Sequence, residues 1–393
     1  MSNLALSFLS RYWAGLAIAA VMALLGWWAV TSGTIILGYV LIAVATLMAI
    51  GGFYHLIYIL GVRRRYPPPG RMIDIGGHRV HLLAEGDANG KATVVWLPGG
   101  HVGGSHLHHL HDMLRATTRS ILIDRPGTGW SDVGPFPRTT LRETTEVVTA
   151  LEKAGEKPPF LIAGHSFGGL LAANIGRARP DLVSCVALID ATPPETIAFG
   201  PRHPALKVMR RTAWVMGLLG VFGIHINPFE RRSDPAMRKM GDLIAERLGK
   251  HLPPVRAVES APQTWFAAAS IFQELSPEGM ARAGWDIVVY DGDLDHVPVL
   301  LIAPGDMVEL QENLKQLSAG GAEAARVQRF YSRSRERYLA TSTQAKRIYA
   351  PKGTGHNFPI EAPEFLADVI REAAAVNIQC TSTATSVAQS AQG

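Results

Sequence analysis

The chain opens with two long apolar stretches and then changes character. Residues 13–30 form an uncharged run of 18 positions and residues 34–60 a second of 27, with Thr31, Ser32 and Gly33 between them. A helix needs about 20 apolar residues to cross the hydrocarbon core of a bilayer, so the pattern predicts a transmembrane hairpin over residues 1–66, with spans at 13–30 and 34–60. After the spacer "YPPPG" the apolar runs become short. "MIDI" and "HRVHLLAE", joined at Gly76 and Gly77, read as a strand hairpin. The segments 92–98, 120–127, 158–166, 182–192, 297–306 and 345–351 read as further strands, and residues 139–155 as an amphipathic helix closed by glycine. Continuous apolar strands alternating with amphipathic helices predict an α/β fold: a mostly parallel sheet with helices on both faces. The sheet pattern covers 67–192 and 297–376. Residues 193–296 interrupt it and are expected to form a helical cap. Residues 377–393, low in charge and in large apolar side chains, are expected to be a disordered tail.

Charge orients the hairpin. Up to Leu60 the one charged side chain is Arg11, whereas Arg63, Arg64, Arg65 and Arg71 follow the second span at once. Positive flanks at both ends place both ends, and the body after them, on the cytoplasmic side of a bacterial-type inner membrane. A net charge of +5 over 393 residues is too mild and too dispersed to imply nucleic acid as a partner. Cys185 in an apolar run and Cys380 in the polar tail give neither a disulfide framework nor a metal-binding spacing.

Chemistry concentrates at the ends of the strands, where open α/β sheets carry their sites. In "LIAGHSFGGL", Ser166 stands between a buried strand and an amphipathic helix, with Gly164 and Gly168 two positions to either side. That is the context a nucleophile elbow requires, and the helix N-terminus favours developing negative charge. A serine hydroxyl needs a base, and the base needs an orienting carboxylate. His356 in "GTGHNFP" follows the last strand and is the expected base. Asp306, ending "VLLIAPGD", is the expected acid, with Asp190, ending "VALID", as the alternative. Two backbone amides should hold the oxyanion: that of Phe167, directly after the nucleophile, and that of Gly100 in "LPGGHVGGS", with His101 next in line.

Four ordered segments, "LPGGHVGG", "LIDRPGTGWSD", "AGHSFGG" and "GTGHNFP", together resemble the α/β-hydrolase superfamily over about residues 70–375. The resemblance implies a serine esterase, lipase, thioesterase, lactonase or peptidase acting without a cofactor. Serine at 166 in place of aspartate argues against the dehalogenase and epoxide-hydrolase branches. Two departures stand out. Pro98 occupies the place where the oxyanion loop usually has histidine. Between Asp306 and His356 lies an extra segment that reads as two amphipathic helices.

Two further features bear on function. In the cap, the apolar stretch 213–226 is too short to span a bilayer and is bracketed by Arg210, Arg211, Arg231 and Arg232. It reads as a buried helix lining the pocket or as a helix lying in the lipid interface and gating a lipophilic substrate. The tract "HVGGSHLHHLHDML" holds His101, His106, His108, His109 and His111, read as surface or pocket-lining residues; His108 and His111 share a helical face, with no carboxylate or cysteine set to complete a metal site. The expectation is therefore a membrane-anchored serine hydrolase that cleaves an ester or related acyl bond of a lipophilic small molecule, with the bilayer as its second partner and neither metal nor cofactor. A proline-iminopeptidase-like aminopeptidase, using an acid such as Glu230, Glu246, Glu259 or Glu274, and a non-catalytic membrane scaffold on the same fold are the alternatives.

Overall fold

The computed structural model describes residues 3–100, 102–194, 203–225, 235–276, 279, 292–306 and 333–375. His101, Glu230, Arg231, Arg232, most of the segment inserted after Asp306 and the expected tail lie outside the described residues.

Helix α1 spans Asn3–Leu9, α2 Ala14–Thr31 and α3 Ile35–Arg65. The predicted hairpin is present as two helices long and apolar enough to cross a membrane. Small residues let α2 and α3 meet closely: a Cβ on Gly26 would lie 2.9 Å from the Gly38 carbonyl, and one on Gly52 3.1 Å from the backbone of Gly15. The outward faces stay apolar, with Ile36 83% and Leu47 70% exposed. Helix α3 runs beyond the expected span end, through Arg63, Arg64 and Arg65. Nothing stops it before Pro67, which disfavours helical geometry at Tyr66.

The body follows in the expected order: β1 (Arg71–Asp74), β2 (Arg79–Glu85), β3 (Thr93–Leu97), α4 (His108–Leu114), β4 (Ser120–Ile123), α5 (Thr140–Lys153), β5 (Phe160–His165), α6 (Phe167–Ala178) and β6 (Val183–Ile189). Helices α7 (His203–Val221), α8 (Pro235–Leu248), α9 (Leu252–Glu259) and α10 (Pro262–Glu274) intervene before β7 (Val299–Ala303). Strand β8 (Ala345–Tyr349) and helices α11 (Phe358–Glu361) and α12 (Pro363–Ala375) follow. The sheet order is β1-β2-β4-β3-β5-β6-β7-β8, antiparallel at β1–β2 and β2–β4 and parallel from there on.

The strands read as unbroken apolar runs because both faces of the sheet are covered. Alternate side chains of one strand enter different cores. Val95, Leu97 and Ile162 face the core built with α5 and α6, whereas Val94, Trp96, Leu161 and Ala163 face the core built with α4 and α12. Helix α5 is capped by Thr139, whose hydroxyl accepts from the Arg142 amide at 3.1 Å, and ends with Lys153 in its last turn.

Candidate active site

Three neighbouring parallel strands end side by side, and their ends build the site. Within β5–β6, His165 is level with Ile189, and within β6–β7, Ile189 is level with Ile302. Ser166 and Asp190 are therefore the first residues beyond adjacent strands. Both take positive φ, 53° at Ser166 and 37° at Asp190, a region costly for residues with a Cβ. The turn at Ser166 is held by its amide donating to Ile189 O at 3.0 Å and by the Thr192 amide donating to Ser166 O at 2.9 Å. Glycine is needed around it. A Cβ on Gly164 would collide with the Gly168 carbonyl, and one on Gly168 with the carbonyls of Leu97 and Pro98. The strand, the elbow helix and the Gly-rich loop thus touch backbone to backbone.

The Ser166 hydroxyl donates to Nε2 of His356 at 3.1 Å, and the Nδ1–H of His356 donates to Oδ2 of Asp190 at 2.6 Å. Asp190 is 4% exposed, whereas about half of the His356 side chain is open to solvent. Burial of Asp190 opposes its ionisation. The His356 hydrogen bond and the Arg335 guanidinium, 2.8 Å from its other oxygen, outweigh burial and hold the carboxyl below its usual range. His165 donates from Nε2 to the His356 carbonyl at 2.9 Å, which anchors the histidine loop. Burial, reinforced by the neighbouring His356, depresses the His165 pKa to about 4, so it stays neutral.

The expected acid, Asp306, stands elsewhere. Its side chain is exposed and lies beside the histidine loop: a Cβ on Gly355 would sit 3.9 Å from its Oδ2. Its backbone amide donates to Thr354 O at 3.1 Å. The carboxylate hydrogen-bonded to His356 belongs to the alternative, Asp190. The reason is positional. Asp190 follows β6 directly and is turned back by its positive φ, whereas Asp306 comes three residues after β7.

Gly100 has φ 55° and open space where a Cβ would be, and a Cβ on the preceding Gly99 would lie 2.9 Å from that of Ser166. The Gly100 carbonyl accepts from Arg125 Nη2 at 2.6 Å. Arg125 is fully buried and is paired at 2.9 Å with the equally buried Glu143. Phe167 is the first residue of α6, where helical amides lack intrahelical partners. Farther along the loop, the Gly103 amide donates to Glu259 of α9 at 2.8 Å, and Glu259 also pairs with His106 Nε2 at 2.5 Å. Burial works against the charged form of His106, but Glu259 prevails and raises its pKa.

Reasoning from sequence did not single out Arg335 or Arg125 as parts of the site, and it offered Glu259 only as one of four possible acids for a substrate amine. Arg125 lies in a segment read as a strand and noted for resemblance, with no role in the site attached to it. Arg335 carries no local signal, and the contacts of Glu259 with Gly103 and His106 were not legible, because both depend on the inserted segment and the cap folding back. The histidine tract also differs from its reading as surface or pocket lining. His109 donates from Nε2 to Pro359 O at 2.8 Å, and His111 bridges Ser120 Oγ at 2.9 Å and Glu85 at 3.0 Å. Both are buried, as is His108.

Comparison with known proteins agrees with this architecture. The profile of the "Alpha/beta hydrolase family" matches residues 94–369, and the chain belongs to that family. An uncharacterized Bacillus subtilis protein, YbdG, is 27% identical over 131 residues, 32% of this chain and 39% of that protein. A human (lyso)-N-acylphosphatidylethanolamine lipase is 32% identical over 115 residues, 28% of this chain and 32% of the lipase. The matches thus span about two fifths or less of these relatives. Among solved structures, a putative alpha/beta hydrolase from Nostoc superposes with a TM-score of 0.54 at 16% identity, covering 76% of this chain and 95% of the other.

Proposed function

We propose that the chain is a membrane-anchored serine hydrolase that cleaves an ester or related acyl bond of a lipophilic substrate. The observation that carries this reading is the hydrogen-bonded line from Ser166 through His356 to Asp190. Ser166 Oγ attacks the substrate carbonyl while its proton passes to His356 Nε2. Asp190 holds the imidazole by Nδ1 and stabilises the imidazolium. The amides of Gly100 and Phe167 receive the oxyanion. The imidazolium returns its proton to the leaving oxygen as the carbon–oxygen bond breaks. A water then gives its proton to His356 and attacks the acyl-enzyme, and Ser166 is regenerated as the acid leaves.

The lipophilic substrate and the membrane belong to this reading through the N-terminal helices and the cap. Helices α2 and α3 present apolar faces outward. Helix α7 leaves Val208, Met209, Val215 and Leu218 exposed on the side away from α10. The partial likeness to a lipase that acts on a phospholipid derivative points the same way. Positive charge at both ends of the hairpin supports a body on the cytoplasmic face. The aminopeptidase alternative would need an acid for the substrate amine. Glu259 is instead committed to Gly103 and His106, and Glu246 is exposed on α8.

The test is labelling of the detergent-solubilised full chain with a fluorophosphonate probe. The expected result is one labelled site that disappears in Ser166→Ala, and faster turnover of long-chain than of short-chain p-nitrophenyl esters. Absence of labelling in the folded wild type would favour a non-catalytic scaffold. Labelling with hydrolysis of aminoacyl amides and not esters would favour the peptidase.

A further inference from the structure

A second cluster of chemistry-bearing side chains lies where the segment after α8 meets helix α4. His108 and Asp112 stand one turn apart on α4 and so share a face. His251, in the 3-10 turn Gly249–His251 between α8 and α9, folds over them. The imidazoles of His108 and His251 stack with centroids 3.5 Å apart and planes 17° from parallel. Asp112 Oδ2 lies 3.4 Å from His108 Nδ1 and 3.6 Å from His251 Nε2. All three ligand atoms fall within 4.8 Å of one another.

Among the described residues, His108 Nδ1 and His251 Nε2 are buried polar atoms without a hydrogen-bond partner. His108 is 6% exposed. Leaving such atoms unpaired is costly, and here both lie 3.4–3.6 Å from one carboxylate oxygen without making a hydrogen bond to it. The separations suit something else. Four ligands about 2.0–2.1 Å from a tetrahedral Zn2+ are about 3.3 Å from one another. The surroundings fit as well. Arg115 Nε binds the other oxygen, Asp112 Oδ1, at 2.8 Å, which fixes the carboxylate with Oδ2 toward the histidines. Arg115 is itself drawn to Glu85 at 3.0 Å, and His111, edge-on to His108 at 5.5 Å, has both ring nitrogens engaged elsewhere. Burial lowers the pKa of both His108 and His251, which favours the neutral imidazoles that bind metals.

We propose that His108 Nδ1, His251 Nε2 and Asp112 Oδ2 form a binding site for a first-row divalent cation, Zn2+ by preference, that staples the cap to the body. Two imidazoles and one carboxylate suit zinc or cobalt and not magnesium. A water completes a tetrahedron. The site shares no residue with the line from Ser166 through His356 to Asp190 and serves to fix the cap, which also reaches the Gly-rich loop through Glu259.

The experiment uses the full chain in detergent without a histidine tag, stripped by chelator and titrated with Zn2+, Co2+ or Mg2+. The expected result is one zinc per chain, the visible absorption of tetrahedral cobalt, and a Tm rise of at least about 3 °C with zinc and none with magnesium. His251→Ala, in the cap, and Asp112→Asn should each weaken zinc binding by about 100-fold or more. His296→Ala, an exposed histidine outside the cluster, should leave it unchanged. Equal zinc binding by His251→Ala and the wild type, or no zinc bound by the folded wild type, would overturn the proposal.

Discussion

At the residue scale, the decisive question is which carboxylate serves His356. Asp190 and Asp306 flank the same loop, but Asp190 alone of the pair is hydrogen-bonded to Nδ1. Losing the carboxylate of a triad leaves the imidazole in the wrong tautomer and costs about 10⁴ in kcat. Asp190→Asn is therefore expected to lower kcat on a soluble ester by roughly 10³–10⁴ with KM little changed, and Asp306→Asn to alter it by no more than about 3-fold. The reverse ranking would assign the role to Asp306. Stability gives a second readout. A carboxyl held below its usual range stabilises the fold above the unfolded-state pKa of about 3.9, and that contribution disappears as pH falls toward the folded-state value. Wild type should thus lose Tm on acidification below about pH 4 more steeply than Asp190→Asn. Ser166 and His356 were legible in the sequence because each stands in a strand-end loop with glycine around it. The acid was not, because two strands end in aspartate on one sheet edge. Only the strand register and the positive φ at Asp190 separate the two.

At the element scale, the sheet was legible nearly in full, since buried parallel strands leave unbroken apolar runs such as "ATVVWLP" and "LVSCVALID". The cap was legible as an interruption but not as contacts, because helical spacing gives an apolar face without naming its partner. Helix α7 illustrates this. The sequence offered pocket lining or lipid contact for residues 213–226; in the structure one side of α7 packs on α10 and the other is exposed. Ala213 is buried, Trp214 packs at 5.3 Å from the Phe266 ring of α10, and a Cβ on Gly217 would strike that same ring. Val208, Met209, Val215 and Leu218 lie on the other side, exposed. If that stripe rests in the lipid interface and admits substrate, Val215→Asp and Leu218→Asp should cut kcat/KM for long-chain esters in bilayers by about 10-fold or more. Short soluble esters should be turned over as before. Equal loss on both would show that the stripe does not gate entry. Trp214→Ala is a different experiment: it removes packing of a half-buried ring against Phe266 and should destabilise the fold by about 1–3 kcal/mol, lowering Tm without selecting between substrates.

At the scale of the whole molecule, the hairpin is bound to the body and is not merely tethered by the proline spacer. A Cβ on Gly51 of α3 would collide with the Phe222 carbonyl just past α7, and Tyr58 and Ser260 hydroxyls meet at 3.2 Å. Arg63 contacts Tyr12 through its guanidinium, joining the two ends of the hairpin. Helix α1 was not legible in the sequence, because its seven residues are too few to show a period. Yet Leu6 and Leu9 are buried with Phe136 and Phe266 of the body. This docking has a topological consequence. If the hairpin spans a membrane and its N-terminal helix touches the body, both of its ends lie on one side, the arrangement that the flanking arginines independently predict. A single substitution tests it. Leu6 is wholly buried and Leu4 is 80% exposed on the same short helix. Leu6→Ala should destabilise the full chain in detergent by about 2–5 kcal/mol, and Leu4→Ala by less than about 0.5 kcal/mol. Thermal unfolding of the two variants reads the difference. Equal Tm values would mean that α1 is free of the body, and the one-sided arrangement would then rest on the arginines alone.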